Sequence, residues 1–303
     1  MRILTTVAEL QALADAERAA GRRVALVPTM GALHAGHLSL VAEGRRRADR
    51  VWLSIFVNPT QFEDARDLAA YPRTLDADLA LCRDAGVDLV FAPPASELAP
   101  EGAQTWVEVT ELAKPLCGRS RPGHFRGVAT VVTKLLLAAK PQVAVFGEKD
   151  FQQLAVIRRL VKDLRFDVEI VGAPTLREPD GLAMSSRNAR LDPEARRQAC
   201  VLWQALGEAE RAVASGERSA ARVLALVATA IGKAPRAEID YAELRDPETL
   251  EASPAVLAGP ALLALAVRFE PIPGREGAGV RLIDNRVLRP QLPQEDPPCS
   301  EPC

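Results

Sequence analysis

Long apolar runs are missing from this sequence, and so is an excess of charge of either sign. No stretch reaches the roughly 18 to 20 uninterrupted apolar residues that a membrane span needs. The opening segment "MRILTTVAELQALADAERAAG" sets acids among its apolar positions, which suits a strand and an amphipathic helix rather than a secretory leader. The net charge of -2 and an isoelectric point near 6.1 argue against the basic face of a dedicated nucleic-acid binder. Cysteine is sparse and unpaired in spacing: Cys82, Cys117 and Cys200 stand alone, and Cys299 and Cys303 fall in the tail. An odd count without metal-ligand spacing points to reduced thiols in a cytoplasm. Only six of the 38 basic residues are lysine, so a lysine inside a motif stands out. The expectation is a cytoplasmic protein with no membrane and no nucleic-acid partner.

What is present is 48% hydrophobic residues in a 303-residue chain, enough for two modest cores. Single cores stop growing at roughly 250–300 residues, which favours two domains. The first half alternates short β-branched runs (Val24–Val27, Val51–Val57, Val87–Ala92, Val143–Phe146, Val168–Val171) with helical patterns (Leu38–Asp49, Leu75–Ala85, Val128–Ala139, Phe151–Asp163). Strand then helix, repeated, predicts parallel strands with right-handed crossovers: an α/β doubly wound, Rossmann-like sheet. After about Thr175 a long helical stretch, Pro193–Ser215, precedes a second helix capped by Ser219, then three strand-like segments, Ala237–Leu244, Ala261–Phe269 and Val280–Ile283. That order predicts a smaller α+β domain with an antiparallel sheet. The expected division is therefore 1–175 for the sheet domain, 176–289 for a small lid domain and 290–303 for a proline-rich, acidic tail expected to be disordered.

Ligands of doubly wound sheets bind beyond the carboxyl ends of the strands, and the informative residues follow the strands. "PTMGALHAGH" brings small residues and two histidines, His34 and His37, to a helix start, where free N–H groups favour anions. Taken alone it serves a capped helix with surface histidines equally well. "FVNPTQF" offers the neutral amides Asn58 and Gln61; an Asn-Pro turn has the same spelling. "YPRTLDAD" offers Asp76 and Asp78, as metal ligands or as the first turn of a helix. "RPGHFRG" groups Arg121, His124 and Arg126 in an anion-site pattern that a surface loop also fits. "GEKDFQQ" presents Lys149 just after a buried strand, with Gln152 and Gln153 on the next helix. "DGLAMSSRNAR" is a donor-rich loop that a triphosphate could close. All three histidines fall in these loops, which together equip a crevice for attack at a nucleotide's α-phosphate without a protein nucleophile.

"HAGH" resembles the His-x-Gly-His motif of the nucleotidyltransferase superfamily, and "MSSR" resembles that superfamily's mobile second motif. The fuller set, in order and spacing, resembles the pantothenate synthetase (pantoate–β-alanine ligase) family over nearly all of residues 1–287. The resemblance implies that ATP and (R)-pantoate form a pantoyl adenylate, which β-alanine then converts to pantothenate and AMP. It assigns ATP to Met30, Gly31, Ala32, Leu33, His34, Ala35, Gly36 and His37, with His37 as proton donor. Gly147, Glu148, Lys149 and Asp150, with Leu176 and Met184, Ser185, Ser186 and Arg187, would complete that site. Gln61 and Gln153 would hold pantoate, and Gln61 would also touch β-alanine. The resemblance further implies Mg²⁺ with the ATP, for which Asp78 is the candidate protein ligand, and a homodimer.

Overall fold

The computed structural model describes residues 1–62, 68–69, 71–271 and 279–290. The expectation of a disordered tail falls, from residue 291 onward, outside the described residues, as do Cys299 and Cys303. The chain divides into two compact units, Met1–Arg190 and a second that begins at Leu191.

The first unit contains β1 (Arg2–Leu4), β2 (Val24–Thr29), β3 (Arg50–Ile55), β4 (Leu89–Phe91), β5 (Val143–Gly147) and β6 (Glu169–Ala173). They form one sheet in the order β1-β4-β3-β2-β5-β6, and every pair is parallel. The main helices are α1 (Val7–Ala19), α2 (Ala35–Arg47), α3 (Leu75–Asp84), α4 (His124–Ala139) and α5 (Phe151–Asp163). Successive strand residues point to opposite faces. Thus Val24, Leu26, Trp52, Leu89 and Phe146 pack with α1, α4 and α5, whereas Ala25, Val27, Leu53, Val90 and Val145 share a cluster with α2 and α3. Burial on both faces is why these strands read as unbroken apolar runs rather than as alternation. Each fully buried large side chain contributes about 1.5–3 kcal/mol. Gly44 lets α2 lie close on β2: a Cβ there would stand 3.2 Å from that of Ala25.

Strand order reverses at β2, which has β3 on one side and β5 on the other. That reversal opens a crevice beyond the carboxyl ends of β2 and β5, where open α/β sheets bind ligands. The loops carrying "HAGH" and "GEKD" leave from those two ends.

The second unit has α6 (Pro193–Gln198), α7 (Val201–Ala214) and α8 (Ala220–Ile231), then β7 (Ala237–Arg245), β8 (Ala261–Phe269) and β9 (Val280–Leu288). The strands form an antiparallel sheet with β8 central. All of β8 except Arg268 is buried, so this central strand, too, reads as a continuous run. Asp192 caps α6 and accepts both guanidinium nitrogens of Arg236, at 2.9 and 2.6 Å, which holds its carboxyl well below the usual range.

Three boundaries differ from the sequence reading. The expected helix Pro193–Ser215 is two helices, broken at Ala199 and Cys200. The last strand runs on to Leu288. The segment from Leu176 to Arg190 belongs to the first unit rather than to the second. It folds back as a hairpin in which Met184 N donates to Leu176 O and Glu178 N to Leu182 O. Leu182 and Ala183 are buried.

Candidate active site

Beyond β2 the backbone turns through two consecutive left-handed residues, Gly31 (φ +81°) and Ala32 (φ +50°), and delivers His34 as the N-cap of α2. Here two histidines replace the usual capping side chains. His34 Nδ1 accepts from Gly36 N at 3.1 Å, and His37 Nδ1 accepts from His34 N at 3.3 Å. In a neutral ring an accepting Nδ1 places the proton on Nε2, so both imidazoles present an Nε2–H donor. The rings lie 4.1 Å apart. Gly36 is required by this arrangement, since a Cβ there would meet His34 Cε1 at 2.8 Å.

Beyond β3, Asn58 fixes the direction of Gln61. Its amide nitrogen donates to Gln61 Oε1 (3.2 Å) and to Gly127 O (3.1 Å), leaving Gln61 Nε2 beside Met30 Sδ. The close approach of α4 depends on Gly127, whose Cβ would meet Thr60 O at 2.5 Å. Arg121 and His124 do not line the cavity. Arg121 Nη2 and His124 Nδ1 both reach Gln61 O, at 3.2 and 3.0 Å, and so brace the turn. Arg126 stacks over Trp106 at 4.7 Å. The anion-site pattern therefore resolves into a support for Gln61.

Beyond β5, Gly147, Lys149, Asp150 and Gln153 face a cavity of about 230 Å³. The same cavity meets Met30, Gly36, His34 and His37 on one side and Gln61 on another. Leu176, Met184, Ser185, Ser186 and Arg187 complete its rim. Its depth is apolar, walled by Phe56, Val131, Val132, Leu135 and Phe146 among others. Every cavity residue belongs to the first unit. Gly31, Ala32, Leu33, Ala35 and Glu148 shape the adjoining loops without lining it. Gln152 is buried elsewhere, accepting from Cys117 N and donating to Leu112 O and Pro115 O.

Asp78, the expected magnesium ligand, has a different environment. It is buried on the first turn of α3, and its oxygens accept from Ala32 N (2.9 Å), Leu33 N (2.8 Å) and Thr74 Oγ1 (3.2 Å). Among the described residues no group of three or more His, Cys, Asp or Glu side chains is placed to hold a metal ion.

Sequence reasoning missed Tyr71 and the apolar wall. Tyr71 lines the cavity, stacks edge-on with Phe62 at 5.8 Å and hydrogen-bonds Ser186. Burial raises its hydroxyl pKa. The available signal was the aromatic in "YPRTLDAD"; the wall residues spell an ordinary helix core.

All three histidines are held toward the neutral form. Burial first, then the neighbouring His34 and Lys149, lowers His37 to about 3. Burial and Lys149 lower His34. Burial and Arg121 lower His124 to about 4. The site is thus a pocket of neutral donors with cationic side chains from Lys149 and Arg187, an apolar floor and two amides. Such a set suits an anionic phosphate chain beside a small molecule that is apolar on one side and polar on the other.

Known proteins share this architecture. A family model described as pantoate-beta-alanine ligase matches residues 2–287. The pantothenate synthetase of Syntrophobacter fumaroxidans is 54% identical over 290 residues, covering 96% of this chain and 99% of its own. That of Geobacter sulfurreducens is 52% identical, covering 95% and 99%. The crystal structure of pantothenate synthetase from Thermus thermophilus superposes with a TM-score of 0.87 at 47% identity, covering 96% of this chain and 100% of its own. A Francisella tularensis pantoate-beta-alanine ligase, complexed with beta-gamma ATP and beta-alanine, gives 0.74 at 32% identity, covering 95% and 97%. Among the described residues no helix is long and apolar enough to cross a membrane.

Proposed function

The chain belongs to the pantoate-beta-alanine ligase family, an ATP-dependent ligase family that makes pantothenate, and from that premise we propose how its cavity carries the reaction. The triphosphate lies over the start of α2, where the Nε2–H groups of His34 and His37 donate to its oxygens. Lys149 and Arg187 supply mobile positive charge from the opposite loops. The amide nitrogen of Gln61, turned inward by Asn58, and the amide of Gln153 hold pantoate's carboxylate and hydroxyl. Its dimethyl carbon faces Phe56, Val131 and Val132. The observation that carries this reading is the reciprocal histidine cap, which aims two neutral donors at one cavity.

In the first step a pantoate carboxylate oxygen attacks the α-phosphorus. The bond to the bridging oxygen breaks, and pyrophosphate leaves with the electron pair. The donors gain strength as charge develops on the phosphates, so their stabilisation is greatest in the transition state. In the second step the β-alanine amine attacks the acyl carbon, AMP leaves and the amine loses its proton. Gln61 is placed by the proposal to touch β-alanine as well. Mg²⁺ would enter with the ATP and neutralise part of its charge, ligated mainly by phosphate oxygens.

We also propose a cytoplasmic homodimer. Cys82, Cys117 and Cys200, which form no disulfide, support the compartment, and the dimer is what the family resemblance implies.

The test is ATP–pyrophosphate exchange without β-alanine. Exchange that requires pantoate is the expected result; exchange independent of pantoate, or absent along with AMP formation in the full reaction, overturns the reading. Sedimentation of the purified protein tests the dimer.

A further inference from the structure

We infer that Asp78 is a positioning residue for the ATP-binding turn, and that metal ligation is not its task. The inference rests on reading His34 and His37 as triphosphate donors. A left-handed alanine following a left-handed glycine is a conformation that persists only when its surroundings hold it. Here the holder is a carboxylate from another element. Asp78 reaches from α3 under the turn, one oxygen accepting from Ala32 N and Thr74 Oγ1, the other from Leu33 N. These are charge-assisted bonds to the two amides immediately before His34.

The fit is tight as well as directed. A Cβ added to Gly31 would stand 3.0 Å from Asp78 Oδ2. The residue is only 2% exposed, both oxygens are engaged, and neighbouring Asp76 lies on the exposed side of the helix. Magnesium demands near-octahedral oxygen ligation and usually keeps several waters, which this site does not offer. What Asp78 does offer is leverage. His34 caps α2, and His37 is held by the backbone N–H of His34. A shift of the turn therefore moves both Nε2 donors together, and donor sites tolerate only about half an ångström.

The experiment measures pantoate-dependent ATP–pyrophosphate exchange in wild type, Asp78→Asn, Asp78→Ala and Thr74→Val, titrating MgATP, pantoate and free Mg²⁺ separately. Exchange in the wild type tests the underlying reading; the variants test this one. For Asp78→Asn, kcat/KM for MgATP should fall about tenfold, the loss expected when one charge-assisted bond goes, and further for Asp78→Ala. Thr74→Val should fall roughly twofold to threefold. The KM for pantoate and the midpoint in free Mg²⁺ should stay within about twofold of wild type. An upward shift of the Mg²⁺ midpoint, or rescue by excess Mg²⁺, would make Asp78 a metal ligand and overturn the inference. Unchanged kcat/KM for MgATP in the Asp78 variants would overturn it too. Should Asp78→Ala fail to fold, Asp78→Asn and Thr74→Val carry the same test.

Discussion

In the Nε2–H tautomer a neutral imidazole accepts at Nδ1 and keeps a donor at Nε2; His34 and His37 spend the first end on the helix cap, which leaves the second for a ligand. Their lowered pKa values have a consequence for stability. An unfolded histidine titrates near 6.5, whereas His37 titrates near 3 and His124 near 4 in the folded chain. Below about 6.5 the unfolded state binds protons that the folded state refuses, so the histidine contribution is complete above that pH and is lost as pH falls toward 4 and 3. The melting temperature should therefore decline below pH 6.5, and less steeply in His37→Gln; equal slopes would contradict the shift. A bound triphosphate opposes the same burial effect. ATP binding near pH 5.5 should take up protons, measurable by calorimetry in two buffers of different ionisation enthalpy. His37→Ala should slow adenylate formation about 10²–10³-fold, the usual cost of removing one transition-state donor. Lys149→Ala should do comparable harm without lowering the melting temperature.

At the scale of the element, the site depends on how closely helix and turn can meet. Gly127→Ala would drive a Cβ into Thr60 O, and the turn bearing Asn58 and Gln61 would have to move. The expected outcome is a raised KM for pantoate with little change for ATP, and a stability loss of about 1–3 kcal/mol, checked by steady-state kinetics and denaturant unfolding. Much of this level was legible. The strands after Val24, Val51, Val87 and Val143 announce themselves as β-branched runs, and each motif follows one of them. What the sequence did not show is which polar residues face inward. Gln152 and Gln153 are adjacent, yet Gln152 ties down a loop and Gln153 lines the cavity, because successive helix residues point about 100° apart. Arg121 and His124 resemble an anion site in composition, but their hydrogen bonds go to Gln61 O, a long-range pairing that no local pattern encodes. Asp78 is legible as a helix-start acid; its grip on Ala32 and Leu33 is not.

For the whole molecule, the catalytic equipment is unevenly distributed. No cavity residue lies beyond Arg187, and the family match ends at residue 287. A chain shortened to residue 290 should therefore keep full exchange activity; a clear loss would give the tail a role that nothing else indicates. The unit boundary was misplaced by the sequence reading because "REPDGLAMSSRNAR" looks like a linker in composition, and only its hairpin hydrogen bonds return it to the first unit. The scarcity of histidine has one more consequence. The chain has three, two lining the cavity and the third bracing Gln61, and none anywhere else. A sample labelled with nitrogen-15 in histidine alone would give a spectrum in which every ring signal reports on the active site. Its tautomers, its protonation and its response to each substrate could be followed in the unmodified protein, with no probe attached and no background to subtract.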